Sequence, residues 1–267
     1  MHELLLFGQV PSSRHGQLLK ILAGVTRMQP QRLIERHVVY RPERDPVRPA
    51  IQVGASQTVG GQRPKPKVET KRDMYYWQMV KELSEEEFGD QPEKPAATAG
   101  EDAVLGIEEE ERKWRLEFQD LPDPALKAAN LRMAQTTEIA QGDPHEMMKA
   151  QHSADNVGRY VSEYIDEGHR FVHHNAVIFL HRILCLPVSG RDSPLPALPA
   201  LNILQPLDTS GGYVIQVCVR LQDSSKPEIM EKGLAEVMNV KNTLKGVVEL
   251  EPAERLALDT RLKPKPG

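Results

Sequence analysis

Four histidines, His169, His173, His174 and His181, form the densest group of titratable side chains in the 267-residue chain. Imidazoles so spaced are raw material for a zinc site, which needs three or four ligands held by rigid elements. Three of them, His169, His173 and His174, fall in a connection between two strand-like runs, and His181 lies inside an apolar run. No second-shell pattern that would orient the rings accompanies them, so solvated turn histidines are the favoured reading. A second group is acidic. Glu249 and Glu251, with Glu117 and Glu163 on other strands, are the kind of inward carboxylates with which a barrel holds a divalent cation. A metal-dependent barrel phosphohydrolase acting on triphosphates needs glutamates alternating on several facing strands, with lysines and arginines for the phosphates. The first strand, HELLLFGQV, offers one glutamate and the two strongest strands offer none, so ordinary surface carboxylates are favoured over this alternative. A third group is basic: Arg32, Arg36, Arg41, Arg44 and Arg48. Such a run meets nucleic acid or acidic protein surfaces, but without interleaved aromatic residues it reads as a solvated strand edge and linker. No Gly-rich phosphate loop, G-x-S-x-G, H-E-x-x-H or C-x-x-C is present. The residues therefore assign no catalytic, cofactor-binding or metal-binding side chain, and no cofactor.

The elements that carry these residues centre on Val157–Pro187. Gly158–Asp166 and Val177–Leu186 are strand-like, and the second, VIFLHRILCL, is the most apolar stretch of its length in the chain. A hairpin is predicted, joined by a polar segment that carries Gly168 and the three histidines. Before it, His2–Val10 predicts a strand and Arg14–Thr26 a helix with Leu18, Ile21, Leu22 and Val25 on one face. Leu33–Tyr40 predicts another strand, Lys71–Leu83 an ordered segment packed through Tyr75, Tyr76 and Trp77, and Lys113–Phe118 a half-buried strand with Trp114, Leu116 and Phe118 inward. Leu131–Ala140 follows as a strand, and Asp143-Pro144-His145-Glu146 starts a short helix carrying Met147 and Met148. After the hairpin, Gly212–Leu221 alternates cleanly, with Tyr213, Ile215, Val217, Val219 and Leu221 on one face. Ser225-Lys226-Pro227-Glu228 reads as a capping box before a helix with Ile229, Gly233, Val237, Val240 and Leu244 in one stripe. About eight strands without strict β–α alternation predict an α+β fold: an antiparallel β-barrel with a few flanking amphipathic helices.

Composition sets the boundaries. Apolar residues make up 39% of the chain and its 21 prolines are unevenly spread, which predicts a single barrel domain over 1–267 interrupted by long disordered insertions. Residues 41–70 hold five prolines and almost no large apolar side chain, and 84–111 hold eleven acidic residues against one lysine. The rest of the chain has 33 basic and 27 acidic residues, too mild an excess for a dedicated nucleic-acid binder. Residues 188–211 are a Pro-rich loop of the kind that docks on a partner. No apolar run reaches the length of a membrane span. Cys185 and Cys218 each sit in an apolar run and read as buried, reduced thiols.

Three blocks together resemble a known family. HELLLFGQVP, then LLKILAGVTRMQP, then LIERHVVY is similar to the opening of the Mediator subunit 18 family, from the head module of the RNA polymerase II Mediator complex. YIDEGHRFVHHNAVIFLHRILCLP is similar to its central block, with Gly168, His169 and Phe171 in the connection. GYVIQVCVRL, the capped helix and VVELEPAERL resemble its final blocks. The resemblance implies a non-catalytic, nuclear scaffold subunit built as an antiparallel barrel related in topology to RNA triphosphatases but without their carboxylate set. It implies pairing with Mediator subunit 20, capture of the C-terminal helix of subunit 8, and contact with the RNA polymerase II machinery through the head module. It implies neither direct nucleic-acid binding nor membrane association. The insertions at 41–70 and 84–111 are longer than the family pattern.

Overall fold

Alternating side chains give a strand two distinct faces, and here both faces are used. The computed structural model describes residues 1–42, 75–89, 113–139, 145, 146, 148, 158–187 and 192–262. The strands are β1 (His2–Val10), β2 (Gln31–Pro42), β3 (Trp77–Glu82), β4 (Arg115–Gln119), β5 (Asn130–Glu138), β6 (Gly158–His173), β7 (Ala176–Cys185), the two-residue β8 (Gln205–Pro206) and β9 (Tyr213–Leu221). The order β6-β2-β3-β4-β5-β1-β9-β7 closes through β7 pairing with β6, so eight strands form a barrel, and every pairing is antiparallel. β8 continues the edge of β7 where β9 has ended, pairing with Leu184 and Cys185. The predicted barrel with flanking helices is the fold observed.

The apolar face of the strands points out of the barrel, and three covers bury it, the first made of two helices. Helix α1 (His15–Thr26) lays Leu18 and Leu22 against the barrel, with Leu19 and Ala23 beside them. This stripe is rotated from the predicted one, because Ile21 and Val25 stay half-buried. Helix α2 (Pro227–Thr243) buries Gly233, Val237 and Val240 over Leu4, Leu6, Ile215, Val217, Val219 and Leu221, as its periodicity predicts. A Cβ on Gly233 would come 2.4 Å from Leu221 Cδ2, so the helix sits close to β9 because that position is bare. The residue that caps α2 is Lys226, without a side-chain hydrogen bond, and not Ser225. Ser225 instead donates its backbone N–H to Asp223 Oδ1, and Pro227 opens the helix. The second cover is the segment around Leu195, Leu198 and Leu204, which packs on Ile34, Ile165, Leu184 and Leu186. The third is Met148, on a helical turn, over Val38, Tyr40 and Met79.

Several predicted boundaries move. β6 runs unbroken for 16 residues, so Gly168, His169 and His173 belong to the strand and the hairpin connection is only His174–Asn175. His174 takes φ 55°, the left-handed conformation a two-residue hairpin needs at that position. The polar residues that suggested a loop lie on a strand with one face in a charged interior. The acidic segment also begins later than predicted. Ser84–Gly89 is ordered, with a capping box between Ser84 and Glu87, a Lys81 to Glu87 bond of 2.7 Å, and Phe88 bridged to Leu198. Arg41 and Pro42 belong to β2. Residues 43–70 and 90–111 of the predicted insertions lie outside the described residues. The Pro-rich loop includes β8 and a 3-10 turn at Leu201–Ile203, and its leucines dock on the barrel itself. Among the described residues, no helix is long and apolar enough to cross a membrane.

The two cysteines are not neighbours. Cys218 pairs with Val177, eight positions along β7 from Cys185 and so roughly 26 Å away at strand rise, far beyond disulfide reach. Cys218 is buried, which pushes its thiol up to about 12, whereas Cys185 is exposed.

Gly168 packs directly against β7, and an added Cβ would stand 2.3 Å from the Leu180 carbonyl oxygen and 2.6 Å from His181 Cβ. Backbone cannot yield as a side chain can. Gly168→Ala is therefore expected to lower the free energy of unfolding by about 2–3 kcal/mol, read from urea denaturation followed by circular dichroism. A change below half a kcal/mol would contradict this packing.

Candidate functional site

The barrel interior is built from the residues that alternate with the apolar ones, and most of them are polar. Register carries Glu3 of β1, Glu35 and His37 of β2, Gln78 of β3, Arg115 and Glu117 of β4, Arg132 of β5, Asp166 of β6, His181 of β7 and Arg220 of β9 to one side of the sheet. An eight-stranded barrel is just wide enough for side chains to fill it. Here long charged side chains do the filling, and they bond to one another.

Glu3 is the hub at one end. It is 5% exposed and pairs with Arg132 on one neighbouring strand and Arg220 on the other, at 3.1 and 3.2 Å. Arg132 also donates to Gln119 Oε1 at 2.8 Å. Further along, Arg115 donates to Glu35 Oε1 at 2.6 Å across the intervening β3, and its Nε lies 3.7 Å from Glu117. At the other side, Asp166 Oδ2 sits between His37 Nε2 at 3.4 Å and His181 Nδ1 at 3.6 Å, contacts that form no hydrogen bond. Tyr164 stacks on His37 at 4.7 Å and Phe179 on His181 at 4.4 Å, fixing both rings. Burial, with Asp166 and Glu117 near, pushes the Tyr164 hydroxyl's pKa up, so it stays protonated.

The acidic residues singled out in the sequence separate in space. Only Glu117 faces the interior. Glu163 is on the outer face, where Arg36 donates to it twice, at 3.1 and 2.5 Å, and Leu195 N–H donates at 2.8 Å. Glu249 and Glu251 are exposed, and Glu251 pairs with Lys241 at 2.8 Å. The inward carboxylates Glu3, Glu35 and Asp166 were missed. Each stands at an alternate strand position, the available signal, but a charged alternate residue reads as a solvent face. The carboxylates that do converge are each met by a guanidinium or imidazole. Among the described residues no group of three or more His, Cys, Asp or Glu is arranged to hold a metal ion.

The histidines divide as well. His181 faces the interior. His169 faces α1, its ring 5.5 Å from that of His15, which stacks on Tyr213 at 4.1 Å. Burial lowers the pKa of both His15 and His169. His173 and His174 meet edge to face at the hairpin tip. Of the basic run, Arg32 pairs with Glu85 and Glu167, and Arg36 is spent on Glu163 and the Leu195 carbonyl at 2.7 Å. Arg44 and Arg48 lie outside the described residues.

A cleft of about 520 Å³ opens on the outer surface between the end of β1, the start of α1 and Gly246–Glu249. Val10, Leu18, Val247 and Val248 give it an apolar floor, and Arg14 and Glu249 stand at its rim. Elsewhere on the outside, Ile203 and Leu207 flank β8 with 60% and 62% of their surface exposed.

Two expectations follow from the interior. Glu3→Leu leaves Arg132 buried without its counter-charge and is expected to cost about 3–5 kcal/mol in urea unfolding; a loss under 1 kcal/mol would show that the hub is dispensable. Burial holds the Glu117 carboxyl above its ordinary range, so the folded chain binds this proton at higher pH than the unfolded chain. Its contribution to stability therefore rises as pH falls from neutral through the folded-state value, and is complete below the ordinary glutamate value. Wild type measured against Glu117→Gln should gain relative stability between pH 7 and pH 5; a difference constant with pH would contradict the assignment.

Comparison with known proteins places this architecture. A family model described as Med18 protein matches residues 2–261. Curated relatives named "Mediator of RNA polymerase II transcription subunit 18" include those of Neosartorya fischeri, 38% identical over 98% of this chain and all of the relative, and Coccidioides immitis, 39% identical with the same coverage. The Yarrowia lipolytica relative is 23% identical, again over 98% of the chain. Among solved structures, a chain from the Schizosaccharomyces pombe Mediator head module superposes with a TM-score of 0.59 at 18% identity, covering 98% of this chain and 100% of that one.

Proposed function

The chain belongs to the Med18 family, Mediator of RNA polymerase II transcription subunit 18, and from that premise we propose that it is a nuclear scaffold subunit of the Mediator head module that works by protein contacts and not by catalysis. The observation that carries the non-catalytic reading is the interior. A phosphohydrolase needs carboxylate oxygens free to hold a divalent ion, and here Glu3 and Glu35 are committed to Arg132, Arg220 and Arg115, while no inward carboxylates among the described residues are grouped to hold a metal. Function is left to the outer surface.

The partners proposed are subunit 20, as a second barrel beside this one, and the C-terminal helix of subunit 8. Two surface features support them. The cleft between β1, α1 and Gly246–Glu249 has the apolar floor that a helix-in-groove contact requires. Ile203 and Leu207 expose apolar area beside β8, the kind of patch that marks a protein contact.

Coexpression with the homologues of subunits 20 and 8 should yield a ternary complex that survives gel filtration. Val247→Glu is expected to release the subunit 8 helix and keep subunit 20, and Leu207→Asp to do the reverse, each weakening its own contact at least tenfold in pull-down titration. A chain that elutes alone with both partners present would overturn the reading.

A further inference from the structure

We propose that Ser193 is a phosphoacceptor for a proline-directed serine/threonine kinase, and that its phosphate docks on Arg159. Ser193-Pro194 is the single Ser/Thr-Pro dipeptide in the whole chain. Proline at the following position suits a kinase pocket that supplies no hydrogen-bond partner for a backbone N–H, because proline has none. It also biases the serine before it toward extended backbone, the form a kinase cleft accepts. Ser193 is exposed and lies in a segment outside the barrel strands, where a cleft can reach it.

The surroundings are built to receive a new anion. Arg159, at the start of β6, is half exposed and touches Asp192 only loosely, at 3.8 Å with the aspartate 91% exposed. A phosphate one residue further on brings a charge of about −1.5 to −2 and three acceptor oxygens to that guanidinium. Two residues beyond, Leu195 is fixed at both backbone groups: its N–H donates to Glu163 Oε1 at 2.8 Å, and its carbonyl accepts from Arg36 Nη2 at 2.7 Å. Its side chain is buried against the outer face of β2, β6 and β7. Arg159 and Glu163 both stand on β6, so a phosphate on Arg159 ties the cover's entry to the same strand that already holds Leu195. In the transfer, Ser193 Oγ attacks the γ-phosphorus of ATP, the bond to the β–γ bridging oxygen breaks, ADP leaves and the hydroxyl proton goes to the kinase base and then to solvent.

The test uses the full chain, its fold verified by circular dichroism, with ATP and a purified proline-directed kinase. About one phosphate per chain at Ser193 is expected by peptide mass mapping, with loss in Ser193→Ala and at least a tenfold slower rate in Pro194→Ala. No incorporation, or incorporation at another residue, overturns the acceptor assignment. In the modified protein, amide exchange at 192–198 should slow about two- to fivefold, the range an exposed charge pair commands, and this slowing should vanish in Arg159→Ala. Equal slowing with and without Arg159 overturns the docking.

Discussion

The barrel depends on one constraint: the sheet must keep a network of charges inside and most of its buried apolar residues outside at the same time. Glu3 meets Arg132 and Arg220 from the two strands that flank β1, and Arg115 reaches Glu35 across β3. On the reverse of the same strands, Leu4, Leu6, Val217 and Val219 lie under α2. A slip of one residue in any pairing would turn buried leucines into the charged interior and charges under the helices. Register is thereby held from both faces. Ion pairs of this kind contribute little net stability over apolar packing, so the larger stabilising share lies in the outer apolar layers.

That inversion explains which parts of the fold were legible in the sequence. The outer face of β9 and the stripe of α2 were read correctly, because apolar residues at period 2 and 3.6 are buried whichever side of a sheet forms the core. The interior was hidden. Arg115 and Glu117 alternate with Trp114, Leu116 and Phe118, a pattern indistinguishable from a strand with one wet face. The same ambiguity split β6 into strand and loop: Gly168 and His169 look like turn residues, but Gly168 is the bare position that lets β7 approach. The destination of Leu195, Leu198 and Leu204 was not legible either, since scattered leucines among prolines carry no periodicity. What anchors Leu195 is a pair of residues more than thirty positions away in sequence, Arg36 and Glu163.

Identity to the relatives falls from 39% to 23%, and to 18% for the head-module chain, while coverage stays at 98%. A fold that tolerates such change keeps its pattern more than its residues. An interior rich in ion pairs and an apolar exterior with three separate covers suit a subunit whose work is to present surfaces, because the surface can vary without disturbing the register within.

The position of β1 has a kinetic consequence. It lies between β5 and β9, pairing along its whole length with Tyr213–Leu221, so the earliest of the barrel strands in chain order waits for the last. Some two hundred residues must be made before its second edge is satisfied, and α2, the helix that buries Leu4 and Leu6, is made only after that. Closure of so long a loop is slow, and an apolar strand held open meanwhile is a target for chaperones and for stray pairing. Synthesis of this subunit thus carries a window of vulnerability that ends only when β9 and then α2 arrive.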